Sequence, residues 1–146
     1  MKSLEFVIGL SKPKWRSTGV NHFTYDVDHS SFPDYVIDEL GLTNECLLSL
    51  EMLKGGKIKP HKDHPSRLSH IMWLLSKDPM TVTTVHGTKV LNYSDSMVVQ
   101  SNMLHSATVE GNNDSIWMNV NHGKPYSETV ELYRKLTENF PEIYQK

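Results

Sequence analysis

The sequence is short of the residues that mark several common function classes. Its single cysteine, Cys46, rules out an internal disulfide and fits a reducing compartment, so a cytoplasmic location is the expectation. Arginine is scarce, with only Arg16, Arg67 and Arg134. A formal net charge of -2 offers no basic excess for nucleic acid or an anionic membrane surface, and neither partner is expected. No apolar run approaches the roughly 18 residues of a membrane span. Met1-Lys2-Ser3-Leu4-Glu5 lacks the apolar stretch of a secretory signal. Cys46 lies in Glu45-Cys46-Leu47-Leu48, at the start of an apolar strand, and reads as a packed residue rather than a nucleophile.

The 146 residues, 38% hydrophobic and 22% charged, suffice for one domain spanning 1–146 with a proper core. Leu4 to Gly9 reads as a short apolar strand. Ser11 to Ser31 is polar and irregular, either a loop or a hairpin around Val20 to Val27, and is the longest segment available as a lid. Ser31-Phe32-Pro33-Asp34 opens a helix with Ser31 as its cap; Val36, Ile37 and Leu40 form its apolar face and Gly41 ends it.

From Asn44 the apolar period shortens to that of strands. Eight are expected: Cys46–Leu53, Lys57–Asp63, Leu68–Ser76, Thr81–His86, Lys89–Tyr93, Met97–Gln100, His105–Glu110 and Ser115–His122. Turn residues separate them, including Gly55-Gly56, Asp78-Pro79 and Ser94-Asp95. A final helix, Ser127 to Phe140, presents Val130, Tyr133, Leu136 and Phe140 at helical spacing. The even spacing of these strands points to a mainly β barrel or jelly roll, a β-sandwich flanked by N- and C-terminal helices.

The chemistry concentrates in Gly55-Gly56-Lys57-Ile58-Lys59-Pro60-His61-Lys62-Asp63-His64. Strand alternation puts His61 and Asp63 on one side and His64 on the other. A neutral imidazole and a carboxylate suit a borderline divalent ion, and His105, 42 residues after Asp63, supplies a second imidazole. Two histidines and one carboxylate, leaving coordination positions open, form a facial triad for Fe(II). With eight histidines in the chain a lone His-x-Asp carries little weight, and the strand and turn context supplies the rest. Trp73 and Trp117 read as core, and Lys57, Lys59 and Lys62 as a solvated strand edge.

Pro60-His61-Lys62-Asp63 with Arg67 and Ile71-Met72-Trp73-Leu74-Leu75-Ser76 resembles the first metal motif and following strand of the 2-oxoglutarate/Fe(II)-dependent oxygenases. The prolyl-hydroxylase-like and aspartyl/asparaginyl-hydroxylase-like branches are the most similar. Leu104-His105-Ser106-Ala107-Thr108-Val109 resembles their second metal motif. The resemblance covers Leu47 to Asn121. It implies a double-stranded β-helix of the cupin-like kind with its core over residues 46–122, a catalytic Fe(II) held by His61, Asp63 and His105, 2-oxoglutarate as cosubstrate, and hydroxylation of a C–H bond on a peptide or small molecule. The family's cation for the distal carboxylate of 2-oxoglutarate is absent from Asp114-Ser115-Ile116-Trp117-Met118-Asn119. The candidates to replace it are Arg67, His70, Ser115 and Asn119, with Lys77, Lys89 and Asn121 behind them. Two other classes remain open: a cupin-type metalloenzyme that does not use 2-oxoglutarate, and a non-catalytic β-sandwich binding module.

Overall fold

The structure is a computed structural model that describes residues 2–9, 14–111 and 113–144. Ten strands form two antiparallel sheets. β1 (Arg16–Gly19), β2 (His22–Val27), β3 (Leu47–Lys54), β5 (His70–Leu74), β8 (Ser96–Val99) and β10 (Asp114–Asn121) build the larger, in the order β1-β2-β3-β10-β5-β8. β4 (Lys57–His61), β6 (Met80–Thr84), β7 (Gly87–Leu91) and β9 (His105–Val109) build the smaller, in the order β4-β9-β6-β7. The eight expected strands each correspond to one observed strand, with ends that differ by a few residues. The segment that was open between loop and hairpin contains the β1–β2 hairpin, which pairs through β2 onto β3. The part of Ser11 to Ser31 that lies on Ser11, Lys12 and Pro13 falls outside the described residues.

Two clusters of side chains hold the sheets. Between the sheets, Leu53, Leu74, Met80, Leu91, Val99, Val109 and Trp117 are buried together and fill one end of the sandwich. Each fully buried Leu or Met there contributes about 1.5–3 kcal/mol. On the other face of the larger sheet, Leu48, Leu50, Ile71, Trp73, Met118 and Val120 pack against helix residues that include Leu4, Val36, Leu40, Leu136 and Tyr144. Strand alternation therefore leaves Ser49 and Glu51 of β3 facing inward, between the sheets.

The N-terminal segment corrects one expectation. Lys2–Ile8 is a helix (α1), not a strand. Leu4 and Val7, three residues apart, are both buried against the sheet-covering cluster, and a short apolar run cannot by itself distinguish strand from helix. Ser3 also donates its hydroxyl to the carboxylate of Glu39 on α2 (Asp34–Leu40). The start of α2 is a second correction: Pro33, not Ser31, occupies the cap position, and no side chain caps it. Its end follows expectation. Gly41 adopts φ 63°, its N–H and that of Leu42 return to the carbonyls of Asp38 and Ile37, and the last turn is closed.

The C-terminal helix α3 (Tyr126–Asn139) is followed by the short α4 (Pro141–Tyr144). Its inward face differs from the expected stripe, since Val130 is 39% exposed while Thr129 is fully buried. Thr129 shares a 2.7 Å hydroxyl hydrogen bond with Ser69, and the Tyr133 hydroxyl meets the Ser96 hydroxyl at 2.7 Å. Polar anchors at the ends of β5 and β8 thus set the helix rotation, which apolar spacing alone does not reveal.

Candidate metal centre

The open end of the sandwich holds a cavity of about 790 Å³, lined from both sheets. His61 ends β4 and His105 begins β9, and the two are direct cross-strand partners. The register reaches this pairing through a bulge: three steps along β4, from Ile58 to His61, match two along β9, from Ala107 to His105. Pro60, which has no N–H to give a ladder, sits inside that irregularity on an edge strand, where proline is tolerated.

Asp63 lies just past the strand. Its backbone N–H donates to the Ser101 carbonyl at 2.8 Å, which ties the turn after β4 to the loop before β9. Asp63 Oδ1 is then 3.4 Å from His61 Nε2 and 3.5 Å from His105 Nε2. The three residues can each offer one ligand atom with all three atoms within 4.8 Å of one another. His61 Nδ1–H donates to the Lys59 carbonyl and His105 Nδ1–H to the Met103 carbonyl, each at 2.8 Å. Both rings are thereby locked with Nε2 toward Asp63, the tautomer a ligating imidazole needs. The sequence could not name these acceptors, which turn out to be backbone carbonyls two residues upstream of each histidine.

The electrostatics match this arrangement. Burial raises the Asp63 carboxyl, but the contact with His105 and the charges of His105, His70 and His61 outweigh it and hold it below the ordinary carboxylate value. Burial lowers the His105 imidazole, yet Asp63 and the Met103 carbonyl prevail and raise it. His70, on β5, is pushed down to about 4 by burial, against the raising pull of Asp63, and stays neutral at physiological pH.

The remaining candidates divide by position. His70, Arg67 and Asn119 line the cavity together with His61, Asp63 and His105. Arg67 is exposed, at the rim, and its loop is fixed by the Ser101 hydroxyl, which donates to the Arg67 carbonyl at 3.2 Å. Ser115 is fully buried on β10 and is not among the lining residues. Lys77 and Lys89 also lie outside the lining, and Lys89 donates to the Ser96 carbonyl. His64 is exposed and engages Ser66, apart from the triad. Trp73 is core on the outer face, whereas Trp117 belongs to the inter-sheet cluster and also borders the cavity.

Sequence reasoning missed the far wall of the cavity. His22 and Thr24 of β2 and Glu51 of β3 form it, with His22 Nε2–H and the Thr24 hydroxyl both donating to Glu51 Oε1, at 3.1 and 2.9 Å. The available signal was Ser49 and Glu51 alternating with Leu48 and Leu50 in a strand buried on both faces.

No family model matches the sequence, and no curated protein matches it. Solved structures do. The structure of KdgF from Halomonas sp. aligns with a TM-score of 0.55 at 15% identity, over 79% of this chain and 90% of that one. An RmlC-like cupin from Shewanella frigidimarina aligns at 0.53 and 14% identity, over 75% of this chain and 83% of that one. A structure from a study of the DMSP lyases RdDddP and RnDddQII aligns at 0.53 and 11% identity, over 74% of this chain and 55% of that one. At such identities the likeness speaks for architecture alone, and the architecture is the cupin jelly roll, with helices at both ends.

Proposed function

We propose that this protein is a divalent-metal-dependent enzyme of the cupin fold that acts on a small polar molecule, with His61, Asp63 and His105 as the metal ligands. The observation that carries the reading is the pair of Nδ1–H bonds to the Lys59 and Met103 carbonyls, which turn two Nε2 atoms toward one carboxylate oxygen inside a cavity. A structural His–Asp contact needs no such double orientation. The volume of about 790 Å³ lies in the range of small-molecule sites.

A divalent ion held there supplies Lewis-acid activation and, as Fe(II), redox chemistry. The rest falls to the chain. Asp63 offers a carboxylate that stays ionised, and the two imidazoles are fixed in angle before anything binds. His70 brings a neutral ring, able to donate or accept a proton, to the cavity wall beside them. Arg67 places a permanent positive charge at the rim, suited to an anionic group.

The cosubstrate 2-oxoglutarate fits less well than the metal. β10 turns Trp117, Asn119 and Asn121 to the cavity and no cation, while β3 adds the carboxylate Glu51. Arg16, at the mouth, is engaged by Asp26 at 3.0 Å. The hydroxylase reading therefore rests on Arg67, the one cation near the metal ligands among the described residues that line the cavity. Anaerobic titration of the Fe(II)-loaded protein with 2-oxoglutarate separates the two readings. A saturable charge-transfer absorption that disappears in Arg67→Ala supports the hydroxylase; stoichiometric iron without that absorption supports the metalloenzyme that does not use 2-oxoglutarate. The proposal as a whole is tested by screening small polar compounds for metal-dependent turnover. Turnover lost on chelation and in Asp63→Ala supports it, and turnover indifferent to both overturns it.

A further inference from the structure

The wall away from the metal ligands carries a polar centre that they do not use. Glu51 has a side chain only 10% exposed and borders the cavity. Both of its hydrogen bonds, from His22 and Thr24, go to Oε1, and Oε2 is buried with no partner among the described residues. Asn119, on the adjoining strand β10, also borders the cavity, and its Oδ1 is likewise buried without a partner. The register sets Glu51 opposite Trp117 and Asn119 opposite Ser49, so Glu51 and Asn119 are diagonal neighbours on the inner face. His22 stacks on Trp117, with ring centroids 5.7 Å apart and planes 23° apart, and backs the pair.

A buried carboxylate with one oxygen unsatisfied is costly, and the fold has no need of it at this position. Among the described residues that line the cavity, the buried side-chain atoms lacking partners are these two acceptors. Their complement is a group rich in N–H or O–H. We propose that Glu51, with Asn119, forms the recognition subsite for a hydrogen-bond-donating group, an ammonium or a hydroxyl, on a small substrate whose other end lies at His61, Asp63 and His105. The placement of that other end rests on the metalloenzyme reading; the subsite itself does not. A terminal carboxylate is the group this wall rejects, in keeping with the poor fit of 2-oxoglutarate.

The test uses Zn(II)-loaded protein and straight-chain carboxylates of graded length, each ending in an ammonium, a hydroxyl or a methyl group. Binding is measured by calorimetry, with zinc content determined in parallel. The ammonium- or hydroxyl-ended compound of one length binds at least about tenfold more tightly than its methyl counterpart, and Glu51→Gln removes most of that advantage. Whichever of the two ends binds more tightly names the group. Asn119→Leu reduces the same advantage and serves as readout if Glu51→Gln does not fold. Binding that ignores the end group, binding of none of the compounds, or an advantage that survives both substitutions overturns the subsite. Zinc bound without end-group discrimination sinks the subsite and spares the metal reading. Discrimination kept in protein that holds no zinc supports the subsite and sinks the metal reading.

Discussion

His61 and His105 face each other across the β4–β9 pair with ring centroids 4.2 Å apart, each held by the carbonyl two residues before it. The two imidazoles present their free nitrogens to one carboxylate because a one-residue bulge brings position 61, rather than 60, level with position 105. Lengthening β4 by one further residue between Ile58 and His61 removes that coincidence, because position 60 then stands level with position 105. Insertion of one residue between Ile58 and Lys59 is expected to abolish metal binding while far-UV circular dichroism still reports a β-rich fold, because β4 is an edge strand.

Metal and proton compete for the same atom. His105 is raised above its ordinary value by Asp63, so a proton on Nε2, the position an ion would take, is held more tightly than on a free imidazole. Zinc affinity is expected to rise with pH, by up to about tenfold per unit, until His105 has lost that proton, and to level off above. Calorimetry in buffers of different ionisation enthalpy should show proton release on binding that falls away as pH rises. Affinity and proton release that do not change between pH 6 and pH 8 contradict this.

His70 gives the ion-free protein an acid-side weakness. Its imidazole titrates at about 4 in the folded chain, against an ordinary value of 6.5. Its contribution to stability is full above the unfolded value and is lost as pH falls toward the folded one, amounting to about 3 kcal/mol over the window. His105, raised, contributes fully below its ordinary value, and Asp63, lowered, contributes fully above its own, so neither produces a slope between pH 6 and pH 4.5. Urea unfolding of chelator-treated protein should weaken across that interval in the wild type and weaken less in His70→Gln. Parallel slopes refute the assignment.

Gly41 is the sharpest local test of the fold. It sits at φ 63°, and an added Cβ would come within 3.1 Å of Leu136 Cδ1. Gly41→Ala is expected to cost about 1–2 kcal/mol from the left-handed backbone alone. The crowding of α3 adds to this, and the loss is read as a lowered thermal midpoint with metal stoichiometry unchanged.

The eight strands between residues 46 and 122 were legible one by one because turns carrying Gly, Asp, Asn or Ser separate them, although β5 is buried throughout rather than alternating. The three ligand candidates were legible because alternation extends one step past His61 to Asp63. α1 was not, since an apolar run of a few residues fits either period and only packing on α2 decides. The rotation of α3 was hidden for a related reason: Thr129 meets Ser69 from a distant strand, and nothing local signals a buried threonine. Glu51 was overlooked because a single carboxylate in an apolar strand resembles an exposed edge position until its neighbours β2 and β10 are in place. The β4 bulge, on which the triad depends, is a matter of register between strands far apart in the chain, which no local pattern records.

The most direct test of the central claim is the metal stoichiometry of the purified chain after anaerobic reconstitution with Fe(II) or Zn(II), compared with a His61→Ala, Asp63→Ala double variant and with His105→Ala. The expected result is a stoichiometric ion in the wild type and none in either variant, with far-UV circular dichroism unchanged. An ion retained stoichiometrically by the double variant, or a wild type that takes up none, contradicts the assignment of His61, Asp63 and His105 as a metal centre.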